Sequence, residues 1–280
     1  MKNARTMASV AAASVLVILA STPGHARDWK AITIGVEGAF PPFNAVTPAG
    51  ELEGLDLDVA REVCKRAALE CTFIAQDWDS QIPSLVAGKF DAVLTMGPSP
   101  ERREVIDFSN PYVITPDTFL VDANGPLADL PYTGVKLSID SDEGKLAMAE
   151  LKELFKGATI GATLSTTQLQ FAETYFSDGS EIKSYKSSLQ SQLDLSSGRL
   201  DGIVDNLVFA NVMAEESNGA LKVVGPWMTG SIMATDVCFG IRKDEPELQQ
   251  ILNSAIAEMA ADGTLKALSE KWFKMDLSPS

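Results

Sequence analysis

The chain has 280 residues and a formal net charge of −15, and 45 % of it is hydrophobic. An acidic balance of that size offers no basic patch to neutralise phosphates, so nucleic acid is not an expected partner, and it disfavours an anionic membrane surface. The sole histidine, His25, lies in an N-terminal segment that reads as a removable leader. Its loss would exclude Ser-His-Asp and Cys-His catalysis and the common histidine-based zinc and iron sites, and no metal or cofactor is expected.

Lys2 and Arg5 form a basic start, residues 7–20 are uncharged and largely apolar, and Gly24 and Ala26 are the small residues a signal peptidase reads. The apolar run is short of the roughly 20 residues a membrane span needs, so cleavage after Ala26 is expected rather than anchoring. No cysteine stands at that junction; the first is Cys64. A soluble protein of a Gram-negative periplasm is therefore expected. Cleavage leaves 254 residues and removes two basic groups, taking the net charge to −17.

The remainder alternates short apolar runs with amphipathic ones. Residues 31–36 read as a buried strand, and residues 37–43 as a loop because of Pro41 and Pro42. A helix is predicted near 58–68, from Val59, Val63 and Ala67 at four-residue spacing, then a strand at 72–75, a short helix at 82–87 and a strand at 90–95. Residues 122–155 read as an insertion, loose at first and helical near 144–155. Strands at 158–163, 181–185, 200–204 and 221–224 then alternate with helices at 166–175, 189–195 and 208–216. A strand at 235–241 leads into a long helical stretch with Pro246 at its start and Gly263 dividing it. Two βαβ series predict two α/β lobes, with crossings at Thr115-Pro116 and between Gly230 and Asp236. Cys64 and Cys71, seven apart, are either a bridge or two buried thiols, and Cys238 reads as a free core thiol.

The stretch from Lys89 to Tyr112 carries the most information. A β-compatible run stops at Met96-Gly97-Pro98, a Ser-Pro-Glu-Arg-Arg turn follows, and an apolar run ends in Phe-Ser-Asn-Pro-Tyr. A strand ending in a glycine turn frees N–H groups at its tip. An arginine just beyond it offers a planar donor fork that matches two carboxylate oxygens. Together they make a carboxylate receptor.

In this order, IGVEGAFPPF, EGLDLDVAREVCKRAALEC, DWDSQIPSLVAGKFDAVLTM, PERREVIDFSNPY, SSGRLDGIVDN and GIRKDEPEL…ADGTLKALSEKWF resemble the bacterial periplasmic solute-binding proteins of amino-acid ABC transporters, family 3 type. The Met96-Gly97 pair, the extra segment before Gly161 and the Asp-Trp-Asp block resemble most the octopine/nopaline- and lysine/arginine/ornithine-binding branch. The resemblance implies the two-lobed type II binding-protein fold, α/β, each lobe a mainly parallel sheet flanked by helices, with a two-strand hinge. It implies residues 27–115 plus 236–280 in one lobe and 116–235 in the other. It also implies a Cys64–Cys71 bridge, a monomer, and a membrane permease as partner.

The resemblance places a ligand between the lobes. Arg102 would clamp its carboxylate; a surface ion pair with Glu101 or Glu104 is the plain alternative, and Arg103 is taken as solvated. Thr95, Met96 and Gly97 would flank the same group. Phe40 and Trp78 would sandwich the ligand's stem, and Glu37 would pair with a distal cation. From the second lobe, Ser165, Thr167 and Gln168 at a helix start would approach the carboxylate. Where this type usually carries an aspartate for the α-ammonium, the chain has Asp205-Asn206. With Asn206 in register, an amide replaces the charge, which favours a substituted nitrogen as in opines; a one-residue shift restores Asp205. Two readings compete with a transport receptor: a dehydratase on the same fold, with a carboxylate such as Glu37 as acid or base, and a ligand-presenting sensor.

Overall fold

The structure, a computed structural model, describes residues 29–230 and 232–279; the expected leader at 1–26 lies outside them. The chain begins with Ala31–Val36 (β1), the short strands Ala39–Phe40 (β2), Asn44–Val46 (β3) and Leu52–Glu53 (β4), and helix Leu55–Arg66 (α1). Glu70–Ala75 (β5), a 3₁₀ turn at Trp78–Ser80, Gln81–Val86 (α2), Ala92–Met96 (β6), Pro100–Val105 (α3), Ile106–Phe108 (β7) and Val113–Ile114 (β8) follow. The second series is Asp117–Asp122 (β9), Lys136–Ser138 (β10), Asp142–Leu154 (α4), Thr159–Thr163 (β11), Thr167–Phe176 (α5), Glu181–Tyr185 (β12), Ser188–Ser196 (α6), Gly202–Asn206 (β13), Leu207–Glu216 (α7) and Leu221–Thr229 (β14). Asp236–Arg242 (β15), Pro246–Ala261 (α8) and Thr264–Phe273 (α9) complete it.

These strands form two main sheets. The first runs β5-β1-β6-β15-β7, with β8 also against β15, and the second runs β10-β14-β9-β13-β11-β12. In each, the parallel βαβ strands are joined by a strand of opposite direction: β15 against β6 and β7, and β9 against β13 and β14. The sheets are joined by residues 115–116 on the way out and, on the way back, by a stretch that includes residues 232–235. These segments lie side by side, with Thr115 N–H donating to Thr235 O at 2.9 Å and Asp236 opposite Ile114.

Helices cover both faces of each sheet. Val59, Val63, Leu248, Leu252 and Phe273 pack with Ile32, Ile34 and Phe239 on one side of the first sheet. Leu85, Phe90, Val93, Met96 and Ile106 fill the other side. The α1 helix starts earlier than its spacing predicts, because Leu55 and Leu57 are also buried and Gly54 lets the chain turn in. A side chain at Gly54, whose φ is +128°, would meet the Phe43 carbonyl at 2.2 Å. Asp56 and Asp58 stand in the first turn of α1 and Lys65 and Arg66 in its last, the signs its dipole favours.

Three expectations are corrected. The loop at 37–43 contains a two-residue strand, because Ala39 and Phe40 pair with Ala45 and Asn44 beyond the proline turn. The turn after Gly97 is a helix, α3: Ser99 caps it by accepting the Arg102 N–H, and Pro100 occupies a first-turn position where no N–H is needed. The loose segment after Asp122 contains β10, and the residues after Pro116 form β9, the central strand of the second sheet. Cys64 and Cys71 are bonded, tying the last turn of α1 to β5 with Cα atoms 6.2 Å apart. Cys238 is a buried free thiol, pushed up to about 12 chiefly by burial.

Candidate functional site

A cleft of about 640 Å³, counting its mouth, separates the two sheets. Glu37 follows β1, Trp78 follows β5 and Gly97 follows β6 on one side; Thr167 follows β11, Ser188 follows β12 and Asp205 ends β13 on the other. All stand at the carboxyl ends of parallel strands, where open α/β sheets leave a crevice. The walls touch at a few points. Phe40 stacks on Phe209 across the gap at 5.3 Å, and the Gln170 amide donates to Glu101 at 3.3 Å.

One end of the cleft is cationic. Arg102, on α3, is the only basic side chain among the described residues lining it. Its guanidinium donates to the Gly97 carbonyl and to the Ser165 carbonyl of the opposite wall, both at 2.8 Å, and lies 5.3 Å from the Trp78 ring centre. No carboxylate pairs with it among the described residues, and burial lowers it to about 10. Gly97 is required here: a side chain would meet the Ala234 Cβ at 2.7 Å and its carbonyl at 2.8 Å on the return crossing. Beside this end, α5 begins with Thr166 as its cap, followed by Thr167 and Gln168 in the wall.

The rest of the wall is acidic. Glu37, Asp205 and Asp236 line the cleft, the Asp236 carbonyl close to Gly97; Asp56 and Asp77 act on Glu37, and Asp117 feels Asp205. Burial raises Glu37 to about 8, reinforced by Asp205, Asp77 and Asp56. Asp205 rises to about 6 through burial, although the Ser188 hydroxyl and the Asn206 N–H bond to it. Asp117 rises to about 7 through burial, opposed by a 2.7 Å hydrogen bond from Gln168. Asp56 rises to about 6 through burial while anchoring Asn44, Thr95 and Tyr112. At Glu37 and Asp117 the charge of neighbouring carboxylates adds to burial, so a cation placed among them would be favoured.

Most of the expected residues stand in this cleft: Glu37, Phe40, Trp78, Thr95, Gly97, Arg102, Thr167, Gln168 and Asn206. Their surroundings differ from expectation in four cases. Met96 is 1 % exposed and packs in the core with Phe90 and Val93; it does not line the cleft. Thr95 has φ +59°, and β6 and β15 slip register here, so the side-chain alternation resets and Met96 turns inward. The Ser165 side chain is exposed, and only its carbonyl is used, by Arg102. The Thr95 hydroxyl is held by Asp56 and Asn44, and its N–H faces the Tyr112 hydroxyl. Phe40 stacks on Phe43 at 5.1 Å as well as on Phe209, so its two faces are covered and only its edge meets the cleft.

Asn206 is placed as expected but is turned to the backbone. Its amide oxygen caps α7, accepting from Val208 N–H at 2.9 Å and from the Thr115 hydroxyl at 3.3 Å. It therefore offers a ligand N–H donors, not an acceptor. Asp117, Asp236, Ser188 and Thr163 were not singled out from sequence. They come from separate elements, and no local pattern announces their convergence.

The profile of the bacterial extracellular solute-binding proteins, family 3, matches residues 32–275. The chain belongs to this family. Among its relatives, this family 3 protein is 36 % identical to the octopine-binding periplasmic protein of Rhizobium meliloti, over 89 % of this chain and 92 % of that one. It is 30 % identical to the L-arginine-binding protein of Pseudomonas aeruginosa, over 92 % and 93 % of the two chains. Its fold superimposes on an ancestral arginine-binding protein bound to arginine with a TM-score of 0.74 and 28 % identity, covering 89 % of this chain and all of that one. The two sheets with a cleft between them are the two-lobed α/β architecture of the family. No helix of the described residues is long and apolar enough to cross a membrane.

Proposed function

We propose that this solute-binding protein takes up a cationic amino acid, or an opine-like amino-acid conjugate, in the periplasm and hands it to the permease of an ABC importer as a monomer. The observation that carries this reading is the polarity of the cleft. Among the described residues its wall holds a single arginine with no carboxylate partner, together with several carboxyls that have no basic partner. A ligand with a carboxylate at one end and a positive group at the other neutralises both. The relatives named for octopine and for L-arginine have ligands of that form. On this reading residues 27–115 and 236–280 make one lobe and residues 116–235 the other. Arg102 takes the carboxylate and Glu37 the distal cation, while the edge of Phe40 and the ring of Trp78 border the stem. Closure then requires that the ligand bind the closed form better than the open one.

The amide of Asn206 favours the conjugate within this class. Its free N–H groups suit a second carboxylate, which an opine such as octopine has and a simple cationic amino acid lacks.

The test is a thermal-shift panel on refolded, ligand-free protein with arginine, ornithine, lysine, glutamine, glutamate, octopine and nopaline, repeated on Arg102→Ala. A ligand of the folded state raises the midpoint by mass action. A rise with a cationic amino acid or opine that disappears in the variant is expected. Silence across the panel overturns the ligand class, and an undiminished response from Arg102→Ala overturns the clamp. The cleft is read as a site of binding without turnover. The rival dehydratase reading has the proton held by Glu37 in its favour, and consumption of a prephenate-like acid by the purified protein would establish it.

A further inference from the structure

We propose that Asp117 is a ligand-contacting, specificity-determining residue, whose free carboxylate oxygen accepts from the charged nitrogen on the carbon next to the ligand's Arg102-bound carboxylate. The inference rests on the reading above and adds a residue to it.

Asp117 opens β9, immediately beyond the crossing at Thr115-Pro116, and stands directly opposite Asn206 in the β9–β13 ladder. Facing residues of an antiparallel pair project to the same side, and Asn206 lines the cleft. Asp117 is 1 % exposed. One carboxylate oxygen accepts from the Gln168 amide, itself a cleft-wall group, at 2.7 Å. The other is buried and has no hydrogen-bond partner among the described residues. A buried carboxylate oxygen without a donor is costly, and among the described residues no lysine or arginine is paired with Asp117 to offset it. Its charged neighbour is Asp205, which sharpens the demand for a cation.

The geometry of α5 says which cation. Ser165, which holds Arg102, and Gln168, which holds Asp117, are three residues apart at the same helix start. The groups they anchor therefore reach adjacent positions on one small ligand, as a carboxylate and the nitrogen on the next carbon are adjacent. Asn206 cannot accept from that nitrogen, because its oxygen already takes the Val208 N–H and the Thr115 hydroxyl. Asp117, across the ladder, carries the charge that Asn206 lacks. Both a primary ammonium and the secondary ammonium of an opine can donate to it.

The experiment measures calorimetric affinities of the full-length mature protein for L-arginine, its desamino analogue 5-guanidinopentanoate, and octopine, in the wild type, Asp117→Asn and Gln168→Met. The nitrogen contact predicts that Asp117→Asn weakens L-arginine about thirty-fold and leaves the desamino analogue within about three-fold, so the preference for the amino form collapses. Octopine weakens in parallel, and serves as the probe if L-arginine does not bind. Gln168→Met disturbs the wall but keeps the preference, because Asp117 is still present. An unchanged preference in Asp117→Asn, or equal weakening of both ligands, overturns the inference. If that variant does not unfold cooperatively, Asp117→Ser is read by the same ratio. A wild type that binds none of the three ligands overturns the receptor reading itself, a different and recognisable failure.

Discussion

The positive and negative groups of the cleft are built by opposite means. The cationic end is local: the tip of β6, Gly97 and the short helix carrying Arg102 follow one another in the chain. Its guanidinium is already satisfied by two backbone carbonyls and waits in position. The acidic groups are assembled from distant pieces: Glu37 after β1, Asp117 on β9, Asp205 on β13 and Asp236 on β15. Burial raises Glu37, Asp117 and Asp205, and neighbouring carboxylates add to it at Glu37 and Asp117. A preorganised donor fork gives orientation, and a strained cluster of carboxyls gives a demand for positive charge.

The sharpest way to break this comparison is to remove the single cation. Arg102→Ala should cost about 3–4 kcal/mol of binding, several hundred-fold, since it leaves a ligand carboxylate desolvated without a donor. Calorimetry with L-arginine or octopine reads it. A loss under tenfold would mean that the carboxylate sits elsewhere and that the two ends are not complementary. A smaller effect comes from the hinge side of the same end. Gly97→Ala drives a methyl into Ala234 and should lower stability by about 2 kcal/mol, as overpacking does. Urea unfolding with an unchanged m-value checks it.

At the acidic groups the effect is one of pH. Glu37 holds its proton up to about 8 in the ligand-free fold, against the ordinary 4.5. Between those values the folded state binds more protons than the unfolded one, so this group makes the ligand-free protein lose stability as pH rises through the window. Cation binding has the opposite slope, because it requires the carboxylate: affinity should climb by up to about tenfold per pH unit towards 8 and level off above it. Glu37→Gln should flatten both trends. Stability and affinity that move in the same direction with pH would show that Glu37 does not meet the cation.

This asymmetry also explains what the sequence could disclose. A strand, a glycine stop and an arginine lie within one short stretch, so Arg102 was legible, as was the alternation of β1, β11 and β12. The left-handed turn at Thr95 was not, and it sends Met96 to the core. Phe40 stands beside two prolines, which reads as an exposed loop; only the fold brings Phe43 and Phe209 against its faces. Asp117 hides behind Pro116 at the start of a strand that the run does not suggest. Its importance arises from Asn206, 89 residues away along the chain and opposite in the ladder. Side chains that act alone at a turn announce themselves locally. Those that act by convergence do so only once register is known.

The smallest expected effect tests whether position, rather than charge, makes the cationic end. Arg103 is the next residue on α3 and carries the same guanidinium. It is exposed and lies over the Phe108 ring at 5.3 Å, outside the cleft. A helix turns neighbours about 100° apart, so one arginine faces the cleft and the other faces solvent and β7. An exposed cation–ring contact is worth about 0.5–1 kcal/mol, so Arg103→Ala should lower the unfolding free energy by no more than that. Affinity should change less than about two-fold, since the charge beyond the cleft is screened over roughly 8–10 Å at ordinary salt. If Arg103→Ala instead weakened binding as much as Arg102→Ala, the cationic end would be a diffuse field of two arginines. The contrast between an oriented donor and a cluster of charges would then fail at its simpler end.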